Sequence, residues 1–545
     1  MIFFIMSFFF FLMSLMYFNL SVIFLIYKLN YFYEFFIYMS NFLLIKFVCY
    51  NDWLSNMFIA TIFLISSMVI LYSIEYMNKD LNINRFMMLI ILFVFSMIFM
   101  ILSMNLMTIL LGWDGLGLSS YCLVIYYQNK KSYNSGMITM LMNRLGDIFI
   151  LISISMMLSI GSWNFIFLNK FYNNLLLFMI FMASMTKSAQ IPFSTWLPLA
   201  MAAPTPISSL VHSSTLVTAG VYLMIRFNTL ISINIMNFIM ILSSFTMFLS
   251  GVSANFEFDL KKIIALSTLS QLGLMFFIYS FNLPILTFFH LITHAMFKSL
   301  LFLCSGIIIH NYSNNQDIRL ISLNNYYMPL INMIFIISSL TLCGMPFLSG
   351  FYSKDLIIEM FNMKFNNFFF FLIMYLSMGL TVSYSFRLIY YLNFKFFKMM
   401  IYFNIYLNNY FYYSIMILVF LKMFLGSMMN WLIFNSMNFI YLSMKLKLMI
   451  YLLLIKGMFL GMFINKLNYF KFKFLKKNFI FFNLMFYLPK NFMKIKINYF
   501  KFSKMILLMN DYGWNEYIYF KKLIFMFNYY KFNLLNVNLF KIFFK

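Results

Sequence analysis

Lys187 closes an apolar run, Leu175-Leu-Leu-Phe-Met-Ile-Phe-Met-Ala-Ser-Met-Thr-Lys187, and Pro192 interrupts the same run five residues later. An ammonium within hydrocarbon costs about 2.5–3.5 kcal/mol on insertion scales, and a broken helix at that depth survives only where its freed backbone lines a cavity. A second such place is the run from Pro329 to Met360, broken at Gly344-Met-Pro346-Phe-Leu-Ser-Gly350 and carrying Lys354-Asp355 beyond the break. The lysine precedes the first break and follows the second, as two repeats of opposite membrane orientation would arrange it. Paired interrupted helices point to an ion or substrate site in inverted-repeat transporters. An ion path is therefore the first expectation.

Ten ionisable groups fall within or at the edges of apolar runs: Asp114, Arg144, Asp147, Lys187, His212, His290, His294, Lys298, Lys354 and Asp355. Unpaired, they would together cost about 25–35 kcal/mol, more than the ~5–15 kcal/mol that stabilises a fold. They must be paired, hydrated or neutral. A buried lysine with a movable acidic neighbour is a proton switch: it keeps its proton while the carboxylate is close and releases it when the carboxylate is neutralised or drawn away.

Asp114, in Leu111-Gly-Trp-Asp-Gly-Leu-Gly117, is the candidate partner for Lys187; the alternative is an acid at a span entrance facing water. The glycine spacing imitates a nucleotide fingerprint, but no strand precedes it. Arg144 and Asp147, three residues apart, fit a structural pair that also biases Asp114. His290, His294 and Lys298 recur every four residues and share one helical face, along which protons can pass through water. Their other reading is hydrogen bonding to neighbouring helices. His212, in Val211-His-Ser-Ser-Thr-Leu, is open between the two roles, and Asp259, Lys261 and Lys262 read as a mostly solvated loop at a helix start.

The elements that must position these groups follow from composition. Of 545 residues, 64% are hydrophobic and 9% charged, too apolar for a wetted surface. Stretches of the ~20 residues that span a bilayer begin at residue 1 and recur almost to 464. The expected fold is all-α, a polytopic bundle of about 14–16 spans with inverted repeats, two broken helices and a C-terminal lateral helix. Expected spans are 1–27, 53–74, 86–104, 106–127, 138–160, 174–200, 205–227, 233–253, 262–281, 284–309, 328–361, 367–393, 411–434 and 446–464. Residues 31–51 read as an extramembrane connection. The first span is too long, and lacks the small-residue cleavage site, to be a removed signal peptide.

Cys49, Cys122, Cys304 and Cys343 are dispersed without the spacings of iron–sulfur, zinc or haem attachment, so no redox centre is expected in this chain. The 77 Phe, 52 Met and 38 Tyr, with five arginines beside thirty-three lysines, point to an A/T-rich mitochondrial gene with an additional Met codon. Residues 445–545 hold 18 Lys against Asp511 and Glu516, a net of +16 out of +25. Lys490, Lys494, Lys501 and Lys504 recur at helical spacing, giving a basic face suited to anionic lipid or to neighbouring subunits. Nucleic acid is a poor fit, for want of arginine forks and a soluble domain.

Several stretches together resemble the chain 5 family of mitochondrial NADH:ubiquinone oxidoreductase, respiratory complex I. They are Gly112-Trp-Asp-Gly, Asn143-Arg-Leu-Gly-Asp147, Thr186-Lys-Ser-Ala-Gln190, Ala203-Pro-Thr-Pro-Ile-Ser-Ser-Leu-Val-His-Ser-Ser-Thr215, Lys261-Lys-Ile-Ile-Ala-Leu-Ser-Thr-Leu-Ser-Gln-Leu-Gly273, His294-Ala-Met-Phe-Lys-Ser-Leu-Leu-Phe-Leu-Cys-Ser-Gly306 and Gly344-Met-Pro-Phe-Leu-Ser-Gly-Phe-Tyr-Ser-Lys-Asp355. The resemblance implies an antiporter-like proton-pumping subunit at the far end of the membrane arm, multi-pass in the mitochondrial inner membrane, with a lateral helix along its neighbours. It implies no cofactor here, with NADH, FMN, iron–sulfur clusters and ubiquinone belonging to other subunits. Carried over by position, Asp114 and Lys187 are the acid–lysine pair of the input half-channel and His212 a link. His290, His294 and Lys298 are the central relay, Lys354 with Asp355 the exit, and Arg144 and Asp147 electrostatic support. Many relatives carry Glu where Asp114 stands, a methylene longer, and the family's last spanning helix is not evident after Lys541.

The implied division is N-terminal spans and connection over 1–80, a translocating core over 81–400, C-terminal spans over 401–480 and the lateral helix over 481–545. A stand-alone cation/proton antiporter is the first alternative, opposed by the basic tail. A haem- or quinone-binding cytochrome needs His pairs facing one another from two helices, whereas His290 and His294 share one. A purely structural anchor leaves the buried lysines unexplained.

Overall fold

The structure, a computed structural model, describes residues 2–39, 44–159, 161–165, 174–321, 328–364, 367–394, 409–434, 439–467, 500–514, 517, 521–526 and 528. The chain divides into two units, residues 1–482 and 483–545.

The first unit is a helical bundle. Its elements are α1 (Ile2–Tyr27), the hairpin strands β1 (Tyr31–Met39) and β2 (Leu44–Asn51), α2 (Trp53–Tyr76), α3 (Ile83–Leu102), α4 (Leu106–Val124) and α5 (Lys130–Leu158). Then come α6 (Asn174–Lys187), the short α7 (Trp196–Leu199), and α8 (Thr205–Ile207), joined through a π-helical stretch, Ser208–Thr215, to α9 (Leu216–Arg226). The chain continues through α10 (Ile233–Phe256), α11 (Leu260–Tyr279), α12 (Pro284–Asn311), α13 (Pro329–Cys343), α14 (Ser349–Lys364), α15 (Phe368–Ile389), α16 (Asn409–Ile433) and α17 (Met444–Leu467). Among the described residues twelve helices are long and apolar enough to cross a membrane. The interrupted segments at α6 and α13–α14 bring the count to fourteen, the low end of the expected range.

In a membrane bundle the spans that carry polar side chains belong inside, and those that are apolar all round can face lipid. The Thr205–Arg226 span, α11 and α12 are buried almost throughout, whereas α1, α16 and α17 are mostly exposed. Hydroxyls inside the bundle turn back on their own helices, as in Ser66 Oγ to the Phe63 carbonyl (3.0 Å) and Ser184 Oγ to that of Phe181 (2.7 Å). That local bonding satisfies polar groups where no water competes.

Residues 31–39 and 44–51 pair as antiparallel strands with a register shift between Phe36 and Tyr38, a regular structure that sequence reading left undefined. The run Tyr31-Phe-Tyr-Glu-Phe-Phe-Ile-Tyr-Met favours strands through its aromatic content. Glu34 and Lys46 pair across it at 2.8 Å.

The second break is built on Gly344, which caps α13 with φ +86° while the Met345 N–H donates to the Leu340 carbonyl at 3.2 Å. Only glycine takes that region without penalty. Gly344→Ala is expected to destabilise the bundle by about 1–2 kcal/mol, and Gly344→Asn by less, because asparagine tolerates left-handed backbone. Thermal aggregation midpoints check this; equal losses for both variants would contradict it.

In the second unit the described residues 500–514 are helical, with a π-helical turn at Asn510–Trp514 and Lys501 and Lys504 on its exposed surface. Lys490 and Lys494 lie outside the described residues.

Candidate functional site

The first break places Lys187 at the last position of α6, wholly buried, where α6 packs between α5 and α9. Its Nζ donates to the Trp113 carbonyl at 3.0 Å and sits 4.8 Å from the Trp113 ring centroid. The chain then turns through Ala189 at φ +54°, and the freed polar groups find partners. Trp196 Nε1 donates to the Thr186 carbonyl at 3.0 Å, and Thr246 Oγ1 to Gln190 Oε1 at 2.6 Å. The glycine at 146 lets α5 close onto this turn, since a Cβ there would run into the Thr186 hydroxyl.

The expected ion pair between Asp114 and Lys187 is not formed. Asp114 lies 3.8 Å from Arg144, which also holds Asp147 at 3.1 Å. Asp147 and then Asp114 are nonetheless the strongest carboxylate influences on Lys187. Arg144 is shared between two acids, so the lysine is left with a neutral acceptor and two carboxylates held back from contact.

His212 lies in the π-helical stretch, an irregularity frequent at functional sites. Neither of its ring nitrogens has a protein partner, and its ring meets the edge of Trp196 at 6.2 Å.

On α12, His290, His294 and Lys298 are all fully buried. His290 Nδ1 is 3.0 Å from Ser353 Oγ on α14 and its Nε2 is 3.3 Å from Gln271 Oε1 on α11. Lys298 Nζ donates to the Ser267 hydroxyl. His294, its ring 6.3 Å from that of His290, has no partner on either nitrogen and feels both Lys298 and Lys354. The Ser353 contact ties the histidine row to the second break, because the next residue, Lys354, is buried and donates to the Leu342 carbonyl freed where α13 ends. Asp355, only partly buried, faces Glu359 as well as Lys354.

The geometry thus brings together Asp114, Arg144, Asp147 and Lys187 in one group, and His290, His294, Lys298 and Lys354 in another, with His212 beside the first break. In each group the amines rest on neutral carbonyl or hydroxyl oxygens, a setting in which either protonation state is hydrogen-bonded.

Sequence reasoning missed four features. Lys261, expected in solvent, is buried and donates to the Ala203 carbonyl at 3.1 Å; only its neighbour Lys262 stays partly exposed, paired with Asp259. Lys422 is a buried lysine in an otherwise uncharged helix, a signal identical to the one that exposed Lys187. Arg226 grips Asp52 across a sequence separation of 174 residues, a pairing no local pattern announces. Glu75 accepts from the backbone N–H groups of Tyr410 (3.0 Å) and Phe411 (3.2 Å) and so caps α16. Among the described residues no cluster of three His, Cys, Asp or Glu is arranged to hold a metal ion.

Three family descriptions match successive parts of the chain. "NADH-Ubiquinone oxidoreductase (complex I), chain 5 N-terminus" matches residues 36–87, "NADH:quinone oxidoreductase/Mrp antiporter, TM" residues 103–381, and "NADH dehydrogenase subunit 5 C-terminus" residues 384–545. Relatives named NADH-ubiquinone oxidoreductase chain 5 include that of Aedes aegypti, 48% identical over 91% of this chain and 88% of its own length. Those of Anopheles gambiae (49%, 91% and 88%) and Locusta migratoria (53%, 77% and 74%) are similar. A chain in the structure of an Mrp complex from Dietzia sp. shares the fold at a TM-score of 0.74 and 22% identity, over 85% of this chain and about half (54%) of that one.

Proposed function

The chain belongs to the NADH-ubiquinone oxidoreductase chain 5 family, and from that premise we propose that its buried lysines and histidines carry the protons. It is a proton-pumping membrane-arm subunit of respiratory complex I, a multi-pass part of the NADH:ubiquinone oxidoreductase that assembles with other membrane-arm subunits. The finer reading adds the mitochondrial inner membrane as its site, anionic lipid around the basic tail, and NADH, FMN, iron–sulfur clusters and ubiquinone on other subunits. The core over 81–400 does the translocating. A stand-alone antiporter is disfavoured by the matches specific to chain 5 at both ends.

One observation carries the residue assignment: three fully or almost fully buried lysines, Lys187, Lys298 and Lys354, each donate to a neutral oxygen and to no carboxylate. A lysine kept for structure alone would be fixed by an acid in contact, because a lone ammonium in a dry interior is costly. These are free to exchange protons. Asp114 and Asp147, with their charge divided by Arg144, set how tightly Lys187 holds its proton. His212 links that group to the centre. Gln271 and Ser353 orient His290 so that the row His290, His294, Lys298 stays aligned, and Ser353 passes the path to Lys354, with Asp355 toward the exit.

Lys298→Met in the assembled complex, reconstituted into vesicles loaded with a pH-sensitive dye, is expected to oxidise NADH while losing this subunit's share of proton uptake. Native uptake from an assembled Lys298→Met complex would refute the assignment.

A further inference from the structure

Two buried amines, Lys261 and Lys422, have no part in that path, and only the second lacks a partner among the described residues. Lys422, in the middle of α16, is 2% exposed, and its Nζ has no hydrogen-bond partner among the described residues. Lys187, Lys261 and Lys354 each donate to a carbonyl, a partner that Lys422 does not have among the described residues. The titratable group that acts on it electrostatically is the Cys304 thiol of α12, six residues beyond Lys298 and about 9 Å along the helix axis. One turn further along α16, Gly426 lies so close to α14 that a Cβ would stand 2.5 Å from the Ser349 Cα. This stretch of α16 is therefore seated against both the helix of Lys298 and the start of the helix of Lys354.

Two more polar groups converge on the same turn of α12. A Cβ on Gly306 would stand 2.5 Å from the Tyr72 hydroxyl and 2.6 Å from that of Thr205. Both residues are fully buried, both hydroxyls lie against Gly306, two residues along α12 from Cys304, and neither completes a hydrogen bond of good geometry. An unsatisfied buried donor costs about 1–3 kcal/mol, and convergent polar groups of this kind are where interior water settles. The line continues outward. Tyr76, one turn along α2, also reaches Thr205, and its ring stands 5.6 Å from that of His310, exposed at the end of α12.

We propose that Lys422 is a further proton-relay residue, linking Lys298 through the Tyr72 and Thr205 hydroxyls to the membrane face where α2 and α12 end. The proposal rests on the reading of α12 as a proton path. Lys298 gives one proton to an intervening water, the neutral amine of Lys422 takes one from that water, and Lys422 then releases one past Thr205 and Tyr76 to His310. Lys298 is reloaded from the histidine row through His294, which returns both amines to their starting states.

The test uses the assembled complex in vesicles, comparing Lys422→Met, Lys422→His and Lys298→Met for protons taken up per NADH oxidised. Lys422→Met is expected to lower that ratio as far as Lys298→Met does, with NADH oxidation retained, and Lys422→His, which still titrates, to restore most of it. In parallel, the infrared S–H stretch of Cys304, identified against Cys304→Ala, is expected to convert to S–D in heavy water, because water reaches this turn. A Lys422→Met complex with the native ratio overturns the proposal. Should that variant fail to assemble, a Cys304 band that resists exchange overturns it instead. If Lys298→Met also keeps the native ratio, the α12 path itself fails; if it loses uptake while Lys422→Met does not, only the role of Lys422 falls.

Discussion

Lys187→Arg and Lys354→Arg complexes should pump as poorly as their Lys→Met counterparts, although arginine preserves the charge. Lysine and arginine differ by about 2–3 pKa units in water, so an arginine at the same place surrenders its proton at least about a hundredfold less readily. The Trp113 and Leu342 carbonyls can accept from a guanidinium as well as from an ammonium, so hydrogen bonding alone does not disqualify the substitution. What is lost is release. The measurement is proton uptake per NADH oxidised in vesicles holding fully assembled complex, with assembly checked on native gels. Native uptake in either Arg variant would show that a fixed positive charge suffices and would end the switch account. Asp147→Asn sharpens the comparison, because Asp147 is the strongest carboxylate influence on Lys187. Removing that charge should alter how readily Lys187 loads while leaving Lys354 unaffected.

What made these lysines legible was cost. A charge in a long apolar run has few bland explanations, and the two broken runs showed themselves by proline and glycine. The spans were legible for the same reason: twenty apolar residues have little alternative to a membrane helix. Partners were less readable, since they depend on how helices far apart in the chain meet. Asp114 suggests itself as the partner of Lys187 because it is a costly carboxylate in a small-residue stretch, yet Arg144, one turn of α5 from Asp147, takes part of both acids. Lys261 looked solvated because it sits beside Lys262 at a helix start, and only packing against the turn at Ala203 buries it. The strand pair at 31–39 and 44–51 alternates too imperfectly for a period-two reading, with Phe35-Phe36-Ile37 in succession, and its register shift falls just there. The tail's basic face could be proposed from lysine spacing, but spacing says nothing of what lies against it.

Arg226→Leu is expected to destabilise the subunit by about 3–5 kcal/mol, the cost of stranding one member of a buried ion pair. Asp52 starts α2 with a capping box: the Ser55 N–H donates to Asp52 Oδ1 at 2.8 Å and the Asp52 N–H to Ser55 Oγ at 2.9 Å. Both carboxylate oxygens also accept from Arg226, at 2.6 and 2.7 Å, which ties the start of α2 to the end of α9. Burial alone would raise the Asp52 carboxyl, but the guanidinium and the Ser55 contacts outweigh it and hold the group below its ordinary range. A depressed carboxyl contributes stability in full above its unfolded pKa, near 3.9, and loses it as pH falls through the folded value. The pair therefore protects the native chain at neutral pH and fails only in strong acid. In Arg226→Leu the same carboxyl keeps its burial and loses its counter-charge, so acid should no longer weaken the fold at this site and alkaline pH should weaken it further. Adding Asp52→Asn to Arg226→Leu should recover part of the loss, because asparagine still caps the helix without a buried charge. Thermal aggregation midpoints of the detergent-solubilised complex at pH 5 and pH 8 decide the matter. A double variant no more stable than Arg226→Leu alone would mean that the arginine acts through its stacking on Tyr50 and Tyr222, 5.2 and 4.9 Å away, and not through Asp52.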